Sequence, residues 1–141
     1  MKVLRLDELP PAEVEGTGWL PIRSTLGVRA FGINAYTGDA GARLINEHDE
    51  TENLAGSQRH EELYVVLRGG ATFTVDSEEH ELGSGDIVFV DKPSSRRGAI
   101  ATRDDTLVLA IGGPVGEPYR PPPWEPLLLE QRAAALGRAS A

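Results

Sequence analysis

Glycine and proline recur along this chain as punctuation between short runs rich in β-branched and aromatic residues, and that spacing constrains the fold most. They number 16 and 10. The runs are too short to show a helical period, and they match the strands of an all-β sandwich or barrel. Residues 26–37 alternate as one strand, and 43–48 form a shorter one. Residues 49–59 are too polar for a regular strand and predict a loop. Residues 60–67 and 71–76 pair as a hairpin around Arg68-Gly69-Gly70. The pattern repeats in 78–82 and 87–90 around Gly83-Ser84-Gly85-Asp86, then in 97–102 and 107–111. The flanks differ. Residues 1–18 predict a loosely ordered arm, 19–113 the barrel, and 114–141 a Pro-rich crossing with a helix over 127–136. That helix has Pro126 at its start and Gly137 just past its end, the usual asymmetry. A chain of 141 residues makes one domain of this kind.

Charge and cysteine content narrow the chemistry. A net charge of −8 disfavours nucleic acid and anionic membranes as partners, because phosphate binding needs clustered Lys and Arg. No apolar stretch is long enough to span a bilayer. The N-terminus is charged too early for a signal peptide, so a cytoplasmic protein is expected. With no cysteine, disulfides, thiol catalysis and thiolate metal sites are excluded. Metal chemistry has to use His48, His60 and His80 together with carboxylates.

Strand period decides which of these share a face. His60, Glu62, Tyr64 and Val66 point one way, with the first two ~6.6 Å apart. His48 and Glu50 share a face at the end of the preceding strand. If those strands pair at the usual ~4.8 Å, the four side chains converge. Two imidazoles with one or two carboxylates suit iron, manganese, nickel or zinc. The plain alternative for His48 and Glu50 is a solvated loop face. For His60 and Glu62 it is weaker, since a buried glutamate without a partner costs several kcal/mol. Tyr64 faces the same space and can donate a hydrogen bond or a proton, or simply pack. His80, between Glu79 and Glu81, belongs to a solvated edge, and Trp19, Tyr119 and Trp124 read as aromatics that dock the flanks.

The run HEELYVVLRGGATFTVDSEEHELGSGDIVFVDKPSSRRGAI resembles a cupin, in particular the small bacterial single-domain cupins. The likeness covers roughly residues 26–113 and implies an antiparallel jelly-roll β-barrel, or double-stranded β-helix, with a short C-terminal helix. The first cupin motif ends in Glu, six residues and Gly, kept here as Glu62 and Gly69, while its His-x-His has become His48-Asp49-Glu50. By the resemblance Glu62 is the metal carboxylate, His48 the first imidazole, and Glu50 or His60 the substitute for the second. In the second motif, counted from Gly85, Asp91, Arg96 and Ile100 stand in the places of Pro, His and Asn.

Two functional expectations follow. In one, a divalent metal (Fe, Mn, Ni or Zn) sits on His48, Glu50, His60 and Glu62, and the protein acts on a small organic molecule. Arg96 and Tyr64 then bind substrate, and Glu50 and Tyr64 handle protons. In the other, the Arg96 guanidinium takes the metal's place in a metal-free binding or sensing pocket. Either Arg96 or its neighbour Arg97 faces inward. The resemblance also implies a homodimer in which the N-terminal arm or first strand crosses to the partner.

Overall fold

Tight glycine turns fold the short runs back on one another; Gly69 and Gly85 hold φ of +80° and +90°, which L side chains rarely adopt. The computed structural model describes residues 1–51 and 57–140. Its strands are β1 (Ala12–Val14), β2 (Thr17–Leu20), β3 (Gly32–Gly38), β4 (Arg43–His48) and β5 (Glu61–Arg68). They continue as β6 (Gly70–Val75), β7 (Glu78–Gly83), β8 (Ile87–Val90), β9 (Arg97–Ala101) and β10 (Thr106–Gly113). Two α-helices, α1 (Ile22–Leu26) and α2 (Glu125–Ser140), and a 3-10 turn at Leu6–Glu8 complete the described elements.

The strands form two antiparallel sheets, one ordered β1-β2-β3-β10-β5-β8 and the other β4-β9-β6-β7. Inward side chains of both meet in one core: Leu44, Phe73 and Ala99 from one sheet, Tyr64, Val66 and Val108 from the other. A second apolar cluster lies outside the larger sheet, where Leu9, Leu20 and Ile22 cover Ala35 and Leu107. This is the expected all-β jelly roll with a C-terminal helix. None of the described helices is long and apolar enough to cross a membrane.

Three local expectations differ from the structure. The strand drawn over 26–37 starts only at Gly32, because residues 22–26 close a helical turn that Gly27 ends at φ +75°. Residues 12–20 form a hairpin on the edge of the larger sheet, so much of the arm is ordered against its own chain. α2 begins at Glu125 and continues through Gly137 to Ser140. The Glu125 carboxylate is buried at 1% exposure and takes Arg23 Nε and Nη2 at 2.8–3.1 Å, which fixes the helix start against α1.

Candidate metal centre and pocket

The pocket opens between the sheets, and β4 and β5 approach it from opposite sides. The two strands do not pair; each belongs to a different sheet, so their side chains meet across the barrel and not along a ladder. His48 is the last residue of β4, and Glu50 follows it, its backbone N–H donating to the Pro93 carbonyl at 2.8 Å. Glu62 and Tyr64 alternate inward on β5. Glu62 pairs in register with Gly112 of β10, where a Cβ would lie 2.8 Å from Glu62 Cγ and 2.9 Å from the Glu61 carbonyl. Only a residue without a side chain leaves the Glu62 stem its place.

His48, Glu50 and Glu62 each offer one ligand atom, all within 4.8 Å of one another. His48 Nδ1 donates to the Asn46 carbonyl at 2.7 Å, and Nε2 lies 3.0 Å from Glu50 Oε1 and 3.8 Å from Glu62 Oε1. The carbonyl bond fixes the ring and its tautomer, which leaves Nε2 directed at the two carboxylates; metal-binding histidines are usually held in this way. The Tyr64 hydroxyl donates to Glu62 Oε1 at 2.8 Å. One imidazole and two carboxylates are a donor set that accepts hard and borderline divalent ions.

The remaining candidates stand elsewhere. His60 precedes β5, and its Nδ1 is 3.8 Å from Glu50 Oε2, so it borders the carboxylate and stands outside the three-residue group. One residue, Glu61, separates it from Glu62, and its ring turns toward Tyr119, 5.7 Å away between centroids. The expectation for Arg96 is corrected. Its N–H caps Asp76 Oδ1 and its guanidinium reaches Glu47 on the outer surface. Arg97 turns inward instead, since β9 begins there, in register with His48 on one side and Val75 on the other. Arg97 is fully buried, its Nε 3.8 Å from Glu62 Oε1, and its three guanidinium nitrogens have no hydrogen-bond partner among the described residues.

Charge and burial set the protonation of the group. Burial works against charge on His48, yet hydrogen bonding to Glu50, Glu62 and the Asn46 carbonyl prevails and raises its pKa to about 10. Burial pushes the Glu50 carboxyl above its ordinary range, and the negative charge of Glu62 pushes the same way. Burial acts likewise on Glu62, but hydrogen bonds with His48, Glu50 and Tyr64 win and hold it below its ordinary range. The two carboxyls therefore divide: one readily carries a proton while the other stays ionised. Burial and the Glu62 charge raise Tyr64 well above its usual value, so its hydroxyl keeps its proton and orients Glu62.

A cavity of about 370 Å³ spans this group and the Pro-rich crossing. Its wall includes Asn34 and Tyr36 from β3 and Tyr119, Arg120 and Trp124 from the crossing. Gln58 fastens that crossing: its amide donates to the Pro118 carbonyl at 2.8 Å and its oxygen accepts the Arg120 N–H at 2.7 Å. The sequence reading gave Asn34, Gln58 and Arg120 no role and made Tyr119 and Trp124 docking aromatics. They dock and line the cavity at once. Asn34 and Tyr36 stand two apart on β3 and so share a face; no local signal shows that the C-terminal crossing returns over them.

The cupin-domain family model matches residues 46–112, a span that runs from the Asn46 carbonyl under His48 to Gly112 beside Glu62. That span is a cupin domain. A sugar phosphate isomerase of the cupin superfamily from Silicibacter pomeroyi superposes with a TM-score of 0.64 at 18% identity, covering 86% of this chain and 77% of that one. A predicted oxalate decarboxylase from Thermotoga maritima gives 0.61 at 17%, covering 79% and 97%. KdgF from Halomonas sp. gives 0.58 at 20%, covering 77% and 84%. At these identities the likeness is one of fold. No curated protein matches this cupin in sequence.

Proposed function

We propose that this cupin binds a divalent metal ion through His48, Glu50 and Glu62 and acts on a small organic molecule held in the adjoining cavity. The observation that carries the proposal is the His48 ring, tied through Nδ1 to the Asn46 carbonyl so that Nε2 faces both carboxylates. Iron, manganese, nickel and zinc all suit these donors. When bound, the ion supplies Lewis-acid or redox chemistry. The chain's own groups divide the remaining work. Without the ion, Glu50 holds or releases a proton at its carboxyl, beside His60; with the ion bound, that carboxyl serves as a ligand. Tyr64 keeps Glu62 oriented, and Tyr119 and Trp124 limit water at the mouth. Several superposable structures are described as acting on sugar phosphates or oxalate, which fits a small-molecule pocket without choosing a reaction, because fold alone fixes none.

A second reading draws on Arg97. A permanent cation 3.8 Å from Glu62 offsets part of the acidic charge without any ion, as a metal-free binding module would need. Manganese titration followed by electron paramagnetic resonance separates the two. The parent protein takes up Mn²⁺, His48→Ala and Glu62→Gln abolish uptake, and His60→Ala retains it. If neither Mn²⁺, Fe²⁺, Ni²⁺ nor Zn²⁺ binds the parent protein, the metal proposal fails and the Arg97 reading stands. We also propose a homodimer, with the apolar outer side of edge strand β8 as the contact: Ile87 and Phe89 there are 59% and 56% exposed.

A further inference from the structure

We infer that the cavity takes an uncharged, polyhydroxylated molecule, such as a free sugar or polyol, and rejects phosphate esters. This inference rests on the small-molecule pocket proposed above and deepens it. The acidic, basic and histidine side chains on the described wall are His48, Asp49, Glu50, His60, Glu62 and Arg120. Three are carboxylates, and Arg120 is the one Lys or Arg side chain among them. It stands exposed at the mouth, on the crossing. The stretch 52–56 brings no Lys or Arg in its sequence either. Arg97 is not part of the wall; it lies buried behind Glu62.

The donors on the wall then disfavour a phosphate seat. A divalent ion on Glu50 and Glu62 is neutralised by them, and Arg97 adds positive charge behind Glu62 but no donor on the wall. With Arg120 alone, a dianion lacks the several charge-assisted donors or bidentate arginine clamp by which tight sites recognise it. The spare hydrogen-bonding capacity of the wall is neutral. Asn34 Oδ1 and His60 Nε2 are buried polar atoms without a partner among the described residues, and both side chains line the cavity. Buried polar atoms in that condition call for a partner, and ligand hydroxyls supply it at no cost in charge. Tyr36, Tyr119 and Trp124 add flat apolar surface against which the C–H face of a sugar ring packs. The volume of about 370 Å³ lies at the small end of ligand pockets, room for a monosaccharide-sized body.

The test pairs neutral compounds with their own esters. Mn²⁺ uptake is recorded first on each sample. Neutral pentoses, hexoses and their polyols, the corresponding sugar phosphates, and inorganic phosphate are then titrated by calorimetry and tryptophan fluorescence. At least one neutral member binds saturably, its phosphate ester binds at least about tenfold more weakly, and inorganic phosphate does not compete. Asn34→Leu weakens the neutral ligand by a similar factor and leaves Mn²⁺ uptake unchanged. An ester that binds as tightly as its neutral parent, competition by phosphate, or no binding across the neutral panel overturns the inference. If Mn²⁺ is not taken up, the metal reading alone fails, and the same panel on metal-free protein still decides the ligand class.

Discussion

Replacing Arg23 by methionine should unfold the C-terminal third of the pocket from a distance. Glu125 is 1% exposed and takes Nε of Arg23 on both oxygens at 3.1 Å and Nη2 at 2.8 Å, while Nη1 donates to the Val28 carbonyl at 3.2 Å. Removing the arginine leaves an ionised carboxylate in the protein without its counter-charge, a change that costs roughly 3–5 kcal/mol. For a chain of this length that lowers the melting temperature by roughly 10–15 °C. Replacing both partners, as Arg23→Met with Glu125→Leu, removes the unpaired charge and should recover most of the loss, since apolar substitutes for buried pairs are often near neutral. The assay is a double-mutant cycle by urea denaturation, with Trp fluorescence as the probe. Trp124 stands next to Glu125 and edge-on to Trp19 at 5.7 Å, so the single variant also shifts the emission of the pocket mouth. A single variant within about 1 kcal/mol of the parent would refute the reasoning. So would a double variant less stable than the single one.

Three further outcomes follow from the site and the surface. Gly112→Ala should weaken Mn²⁺ uptake, read by electron paramagnetic resonance, while the strand signal in circular dichroism persists, because its Cβ would meet Glu62 Cγ and the Glu61 carbonyl. His48 has a folded pKa of about 10 against an ordinary 6.5, so the stability it adds to metal-free protein is complete below pH 6.5 and fades as pH rises toward 10. Urea titrations at pH 6 and pH 9.5 should show this slope in the parent, and His48→Asn should flatten it. Phe89→Glu should shift sedimentation equilibrium toward monomer without lowering stability, as Phe89 is half exposed on β8.

The fold was legible because its signals are local. Alternation and turn glycines located β4 through β10 to within a residue or two, since strand faces and hairpin turns depend on neighbours in the chain. The helix α1 escaped because five residues carry too little period to distinguish a turn of helix from a strand end, and its cause, Arg23 bonding to Glu125, lies 102 residues away. The pocket shows the same division. His48, Glu50 and Glu62 were visible as residue types at strand spacing. The choice between Arg96 and Arg97 was not, for a single-residue step in register reverses the face. Counting from Gly85 selects Arg96, whereas the capture of its N–H by Asp76 starts β9 one residue later.

The strand order also governs when this cupin can become functional. β10 is seated between β3 and β5, with residues 106–112 bonded to 32–38 and 107–113 to 61–68. During synthesis, β3 and β5 therefore wait without their common neighbour until the chain has reached about residue 113, and the ribosome tunnel delays it further. The smaller sheet, whose β4, β6, β7 and β9 are all made earlier, can assemble first. Gly112, which seats Glu62, arrives among the last strand residues, so the proposed metal site is completed only once β10 is in place.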